Sequence, residues 1–126
     1  MLIKYSHSNH YNWWPDGLYG DEPRGVGSFD LFEKSKTGTL ELWAFGIHSK
    51  ENRGKGYGQQ MLNEALEIAG NRDVRLYVYR CNDVAIHVYE KAGFEITGKY
   101  MGDQAWVMTR FAKAKKDVNE RALCSA

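Results

Sequence analysis

The chain has 126 residues, of which 43% are apolar, 26% charged and 13% aromatic, values that suit one globular domain with its own core and exclude disorder of the chain as a whole. Seventeen Lys and Arg stand against sixteen Asp and Glu, a net charge of +1. No global field therefore draws in a polyanion, so nucleic acid and acidic membrane drop out as partners and any anion site must be local.

Residues 1 to 24 hold Tyr5, Tyr11, Trp13, Trp14 and Tyr19 among His, Asn, Gly and Pro without a clear period, which predicts loop with one short strand at Leu2 to Tyr5. The start MLIKYSHSNH lacks the apolar core of a secretion signal, and no stretch approaches the roughly 18 apolar residues of a membrane span, so a cytoplasmic protein is expected. The runs GVGSFDLFEK and TLELWAFGI, separated by SKTG, predict an antiparallel hairpin. In the second run, Leu40, Leu42 and Ala44 alternate with Trp43, Phe45 and Ile47; both faces are apolar, and the strand is predicted to be central and the more buried of the two. Glu41 is then an acid on a buried strand.

The turn RGKGYG follows, and Met61, Leu62, Ala65, Leu66 and Ala69 recur at the spacing of an amphipathic helix over about Gly58 to Ala69, closed by Gly70. VRLYVY (Val74 to Tyr79) reads as a strand, and NDVAIHVYEKAGF as a second helix capped by Asn82 or Asp83 and by Gly93. Strand, helix, strand implies a parallel pair. FEITGKY and QAWVMTRF supply two more strands around a turn at Met101 to Asp103, and residues 112–126 read as a polar tail. One α+β domain over residues 1–126 accounts for the whole pattern.

The glycine turn places several amides at the positive end of a helix, where the backbone can approach an anion. It is not a Walker A sequence, because no Ser or Thr follows the GK pair, and it does not match GxGxxG. It does match Arg, any, any, Gly, any, Gly at Arg53, Gly56 and Gly58. Downstream come Asn82, Tyr89, Glu90, Lys91, Gly93 and Phe94, in order and on the expected elements. In these two motifs the chain resembles the GNAT family of acyl-CoA-dependent N-acyltransferases over about Thr39 to Phe94.

The resemblance implies a central mixed sheet of about six strands flanked by helices, with a shortened N-terminal region. It implies acetyl-CoA as cofactor, held by Arg53, Gly54, Lys55, Gly56, Tyr57 and Gly58, by the backbone of Phe45, Gly46 and Ile47, and by Asn82 and Tyr89. Gly46, an isolated strand glycine, marks the bulge or close approach that such a strand needs. Tyr89 matches the family's general-acid position, where it would protonate the leaving thiolate. Glu41 is the candidate base, with pairing to a nearby cation as the competing reading.

The acceptor is expected to be an amine of a small molecule or a protein. Few residues precede the hairpin, so either Trp13, Trp14 and Tyr19 form a wall of the acceptor site or a second subunit of a homodimer completes it. His7, His10, His48 and His87 show no ligand spacing, so no metal is expected. Cys81 and Cys124 read as reduced thiols. A catalytically silent acyl-CoA-binding module of the same fold is the competing function.

Overall fold

The computed structural model describes residues 2–4, 8–17, 25–33 and 38–112. Their strands are β1 (Leu2–Lys4), β2 (His10–Trp13), β3 (Gly27–Glu33), β4 (Leu40–Ile47), β5 (Val74–Tyr79), β6 (Glu95–Tyr100) and β7 (Ala105–Arg110). Helix α1 covers Tyr57–Ala69 and helix α2 covers Asp83–Lys91. All seven strands join one mixed sheet in the order β1-β2-β3-β4-β5-β7-β6. Only β4 and β5 run parallel.

The expected count of about six strands falls one short. The segment read as loop contains β2, whose polar residues hide it: His10 and Asn12 sit on one face while Tyr11 and Trp13 sit on the other. Tyr11 stacks on Phe29 with ring centroids 5.1 Å apart, so alternation is present but carried by side chains of unlike type. Strand β4 is central as expected, yet β3 is the more deeply buried of the hairpin, because the second half of β4 opens onto a cleft.

Alternation sorts the sheet into two faces. Phe29, Leu31, Leu40, Leu42, Val74, Leu76 and Met108 form the core with Met61, Leu62, Ala65 and Ala69 of α1 and with Tyr89 and Phe94. The other face carries the row Phe32, Glu41, Arg75 and Thr109, residues that oppose one another across β3, β4, β5 and β7.

The caps follow from residue chemistry. Asn82 accepts the Ala85 amide at 3.3 Å and so begins α2. At its other end Gly93 takes φ +99°, the Gly93 amide donates to Glu90 O and the Phe94 amide to Tyr89 O, a double closure that delivers Phe94 into the core. Gly70, at φ +61°, closes α1 with its amide on Leu66 O.

Candidate active site

β4 and β5 are paired only at Leu40↔Val74 and Glu41↔Arg75. Beyond those two registers they part, although β4 continues to Ile47 and β5 to Tyr79. The divergence coincides with a bulge: Ser28 opposes Gly46 and Asp30 opposes Trp43, so β4 carries one residue more than β3 over this stretch. Ala44 absorbs the extra length with φ +54°, a left-handed conformation rare for a residue with a side chain. The bulge centres on Ala44 and not on Gly46. It also turns Phe45 to the helix side, where its ring meets Phe29 at 6.2 Å and Tyr89 at 5.9 Å.

The fork encloses a cleft of about 460 Å³, walled by β4 from Leu42 to Ile47, by β5 from Leu76 to Tyr79, and by Arg53, Gly58, Asn82, Val84, Ala85, Val88 and Tyr89. Seven of the residues expected to bind cofactor therefore meet in one place: Phe45, Gly46, Ile47, Arg53, Gly58, Asn82 and Tyr89. Gly54, Lys55, Gly56 and Tyr57 belong to the same loop but not to the cleft wall. Tyr57 turns inward and packs edge-on against Trp13 at 5.8 Å, while Lys55 Nζ lies 5.9 Å from the Tyr57 ring.

Two loop glycines are conformationally required: Gly54 has φ +77° and Gly56, the N-cap of α1, has φ +78°. Among the described residues, the amides of Gly54, Lys55 and Gly56 donate to no backbone carbonyl, and the first closing bond of α1 runs from the Gln60 amide to Gly56 O at 3.2 Å. These donors and those of the first helical turn are available to an external acceptor. A Cβ built on Gly46, Gly54, Gly56 or Gly58 would meet nothing within 4 Å, so space is kept beside the backbone at all four.

Tyr89 is 8% exposed and packs its ring between Phe45 and Phe94. Burial pushes its hydroxyl up to about 12. It is a protonated donor throughout the working range.

Glu41 lies elsewhere. It is 1% exposed and lines neither this cleft nor its neighbour. One oxygen accepts the Trp43 indole N–H at 2.8 Å; the other accepts Arg75 Nη2 at 2.6 Å and the Tyr77 hydroxyl at 3.4 Å. The hydrogen bond to Glu41 raises Arg75, and burial together with the nearby carboxylate raises Tyr77. A carboxylate held in this way has the cation partner of the competing reading, and a base at this position would act from outside both cavities. Trp13 and Trp14 are the residues expected at an acceptor wall, with plain packing as the other reading. They are 0% and 5% exposed, neither lines a described cavity, and the Trp13 indole donates to Glu64 of α1. Trp13 belongs to the core and is tied to α1. Tyr19 lies outside the described residues.

A second cavity of about 200 Å³ was missed by sequence reasoning. It is lined by Trp43, Tyr77, Val78, Tyr79, Tyr100, Met101 and Ala105, and it shares Trp43, Tyr77, Val78 and Tyr79 with the cleft. Trp43, Tyr77 and Tyr100 form a continuous row with centroids 5.1 and 4.3 Å apart. The available signal was the alternation in VRLYVY, which puts Arg75, Tyr77 and Tyr79 on the face opposite Val74, Leu76 and Val78.

The acetyltransferase (GNAT) family matches residues 2–94, and the chain belongs to that family. It is 29% identical over 102 residues to the uncharacterized N-acetyltransferase YdgE of Bacillus subtilis, covering 77% of this chain and 62% of that one. Among solved structures it is similar to the PaiA N-acetyltransferase of Thermoplasma acidophilum in complex with coenzyme A (TM-score 0.59, 26% identity, 68% of this chain and 53% of that one). It is likewise similar to Arabidopsis thaliana Naa50 in complex with the bisubstrate analogue CoA-Ac-MVNAL (TM-score 0.56, 27% identity, 67% and 64%). The chain thus spans between about half and two-thirds of the length of these relatives. Among the described residues no helix is long and apolar enough to cross a membrane.

Proposed function

We propose that this protein binds acetyl-CoA at the glycine turn and fork and transfers the acetyl group to a primary amine, which attacks directly while both reactants are bound. The observation that carries this reading is the coincidence of open amides at Gly54 to Gly58 with a cleft between β4 and β5 that no side chain fills. The residues fit such a cofactor: the space beside Gly54, Gly56 and Gly58 admits a diphosphate close to the backbone. The β4 edge beyond Glu41, without a ladder partner on the β5 side, offers donors and acceptors to an extended amide-bearing arm. Bound acetyl-CoA supplies an activated thioester.

The protein's own residues then have three tasks. The backbone of β4 around Phe45 to Ile47 donates N–H groups to the carbonyl oxygen as charge develops there. Tyr89, held by Phe45 and Phe94, gives its proton to the departing sulfur as it takes up the one the attacking nitrogen sheds; a thiolate near 8.5 could not by itself ionise a phenol near 12, so the two transfers are coupled and the phenol is regenerated. Asn82 caps α2 and lines the cleft at once, which fixes one wall.

The test is calorimetric titration with acetyl-CoA, followed by thiol release with a panel of amines. Binding together with amine-dependent release supports the reading; absence of binding sinks it. Tight binding without release to any amine selects the silent module.

A further inference from the structure

We propose that the acceptor is an α-amine carried beside an apolar side chain, and that the side chain seats in the cavity lined by Trp43, Tyr77, Tyr100 and Met101. This inference rests on the acetyltransferase reading above and names its substrate class. The cavity adjoins the cleft through Trp43, Tyr77, Val78 and Tyr79, so a group seated there holds its amine beside the fork. At about 200 Å³ it suits one side chain and not a drug-sized molecule, for which about 300 Å³ or more is usual.

Its chemistry is apolar by construction. Trp43 and Tyr77 carry polar handles, but both are turned onto Glu41, at 2.8 and 3.4 Å, and the charge of Glu41 is matched by Arg75 at 2.6 Å. These two residues therefore offer their ring faces, beside the rings and hydroxyls of Tyr79 and Tyr100. The rings are tilted by 39° and 40° in a row, a platform rather than a box closing around a cation. Among the described residues no Asp or Glu lines the cavity to neutralise an ammonium.

The same lining speaks to the amine itself. Among the described residues neither cavity is lined by an Asp, Glu, His or Lys that could accept a proton. At pH 7 about one in seven α-amines of pKa near 7.8 is already the free base, against about one in 2,500 lysine-type amines near 10.4. A site whose described lining holds no base therefore suits the first class better than the second.

The experiment compares kcat/KM at pH 7.5 for phenylalaninamide, a tetrapeptide beginning with Phe, the same peptide beginning with Asp, an N-blocked lysine peptide, and spermidine. The Phe-bearing amines are expected to exceed the Asp peptide, the blocked lysine and spermidine by about tenfold or more. Phenylalaninamide against the Phe tetrapeptide separates a free amino-acid source from a peptide terminus. Tyr100→Ala should raise KM for the Phe acceptors about two- to twelvefold, the span of one ring contact; Tyr100→Phe should restore it, and coenzyme A affinity should stay put in both.

Preference for spermidine or the blocked lysine overturns the inference while leaving the acetyltransferase reading intact. So does a Tyr100→Ala protein with unchanged preference. If coenzyme A binds but no amine turns over, the transfer reading fails, and calorimetry of phenylalaninamide with the coenzyme A complex decides the pocket: binding that Tyr100→Ala abolishes sustains it, and no binding overturns it.

Discussion

Gly58 is the sharpest probe of the glycine turn, because nothing inside the protein asks for glycine there. It lies in the first turn of α1, outside the left-handed region that Gly54 and Gly56 occupy, and a Cβ on it would touch no atom within 4 Å. Gly58→Ala should therefore stabilise the fold by roughly 0.5–1 kcal/mol, the usual gain when alanine replaces a helical glycine. The same methyl group points into the space where Gly58 lines the cleft. Forcing a bound molecule aside by one methyl costs about 1–3 kcal/mol in a packed contact, or about five- to 150-fold in Kd. Urea unfolding and calorimetric titration with coenzyme A read the two effects separately, and they should carry opposite signs. Gly56→Ala provides the contrast: at φ +78° it should cost about 1–2 kcal/mol of stability as well as affinity. Gly38→Ala, at φ +84° with open space around it, should cost stability alone. A Gly58→Ala protein that binds coenzyme A as tightly as the parent would refute the placement of the ligand at this turn.

Three other perturbations test the remaining roles. Tyr89→Phe keeps the ring between Phe45 and Phe94 but removes the donor, so kcat should fall about 10²- to 10⁴-fold with the acetyl-CoA affinity nearly kept; an unchanged kcat ends the acid role. The same substitution has a signature in alkali. Tyr89 is raised from 10.0 to about 12 on folding, so its contribution to stability is whole below pH 10 and is lost as pH rises toward 12. Two units at about 1.36 kcal/mol each give about 2.7 kcal/mol, which the difference between wild-type and Tyr89→Phe unfolding curves across that window should show. Glu41→Gln keeps an acceptor for Trp43 but leaves the Arg75 guanidinium without its counter-charge. Because Arg75 is 36% exposed, the loss should be about 2 kcal/mol in urea unfolding, below the 3–5 usual for a wholly buried pair; a protein of full stability but no activity would return Glu41 to the role of base.

Most of the fold was legible because its signals are local. The period of α1, the caps at Asn82 and Gly93, and the β3–β4 hairpin depend on residues a few positions apart, and the cleft-lining glycines and Tyr89 could be located from their place on those elements. What stayed hidden depends on partners far away in sequence. Glu41 reads as an acid available for chemistry until Arg75, 34 positions on, is seen at its side. Trp13 reads as a ring free to meet an acceptor until Glu64, 51 positions on, takes its indole N–H. Tyr100 joins the site only because β7 inserts between β5 and β6, so that the β6–β7 turn returns to the end of β5.

The ion pair also marks the point at which the fork opens. Glu41↔Arg75 is the last register at which β4 and β5 are paired, and the residue two beyond this pair on each strand, Trp43 on β4 and Tyr77 on β5, leans a polar group back onto the same carboxylate. Below that point the strands are joined by backbone and charge; above it Ala44 bends β4 away at φ +54°. The carboxylate is thus the hinge pin of two cavities at once. It ends the ladder so that the helix-side cleft can form, and it draws in the polar edges of the rings that floor the opposite cavity. A buried charge pair is weak evidence for stability, but here it stands at the register where the two cavities begin.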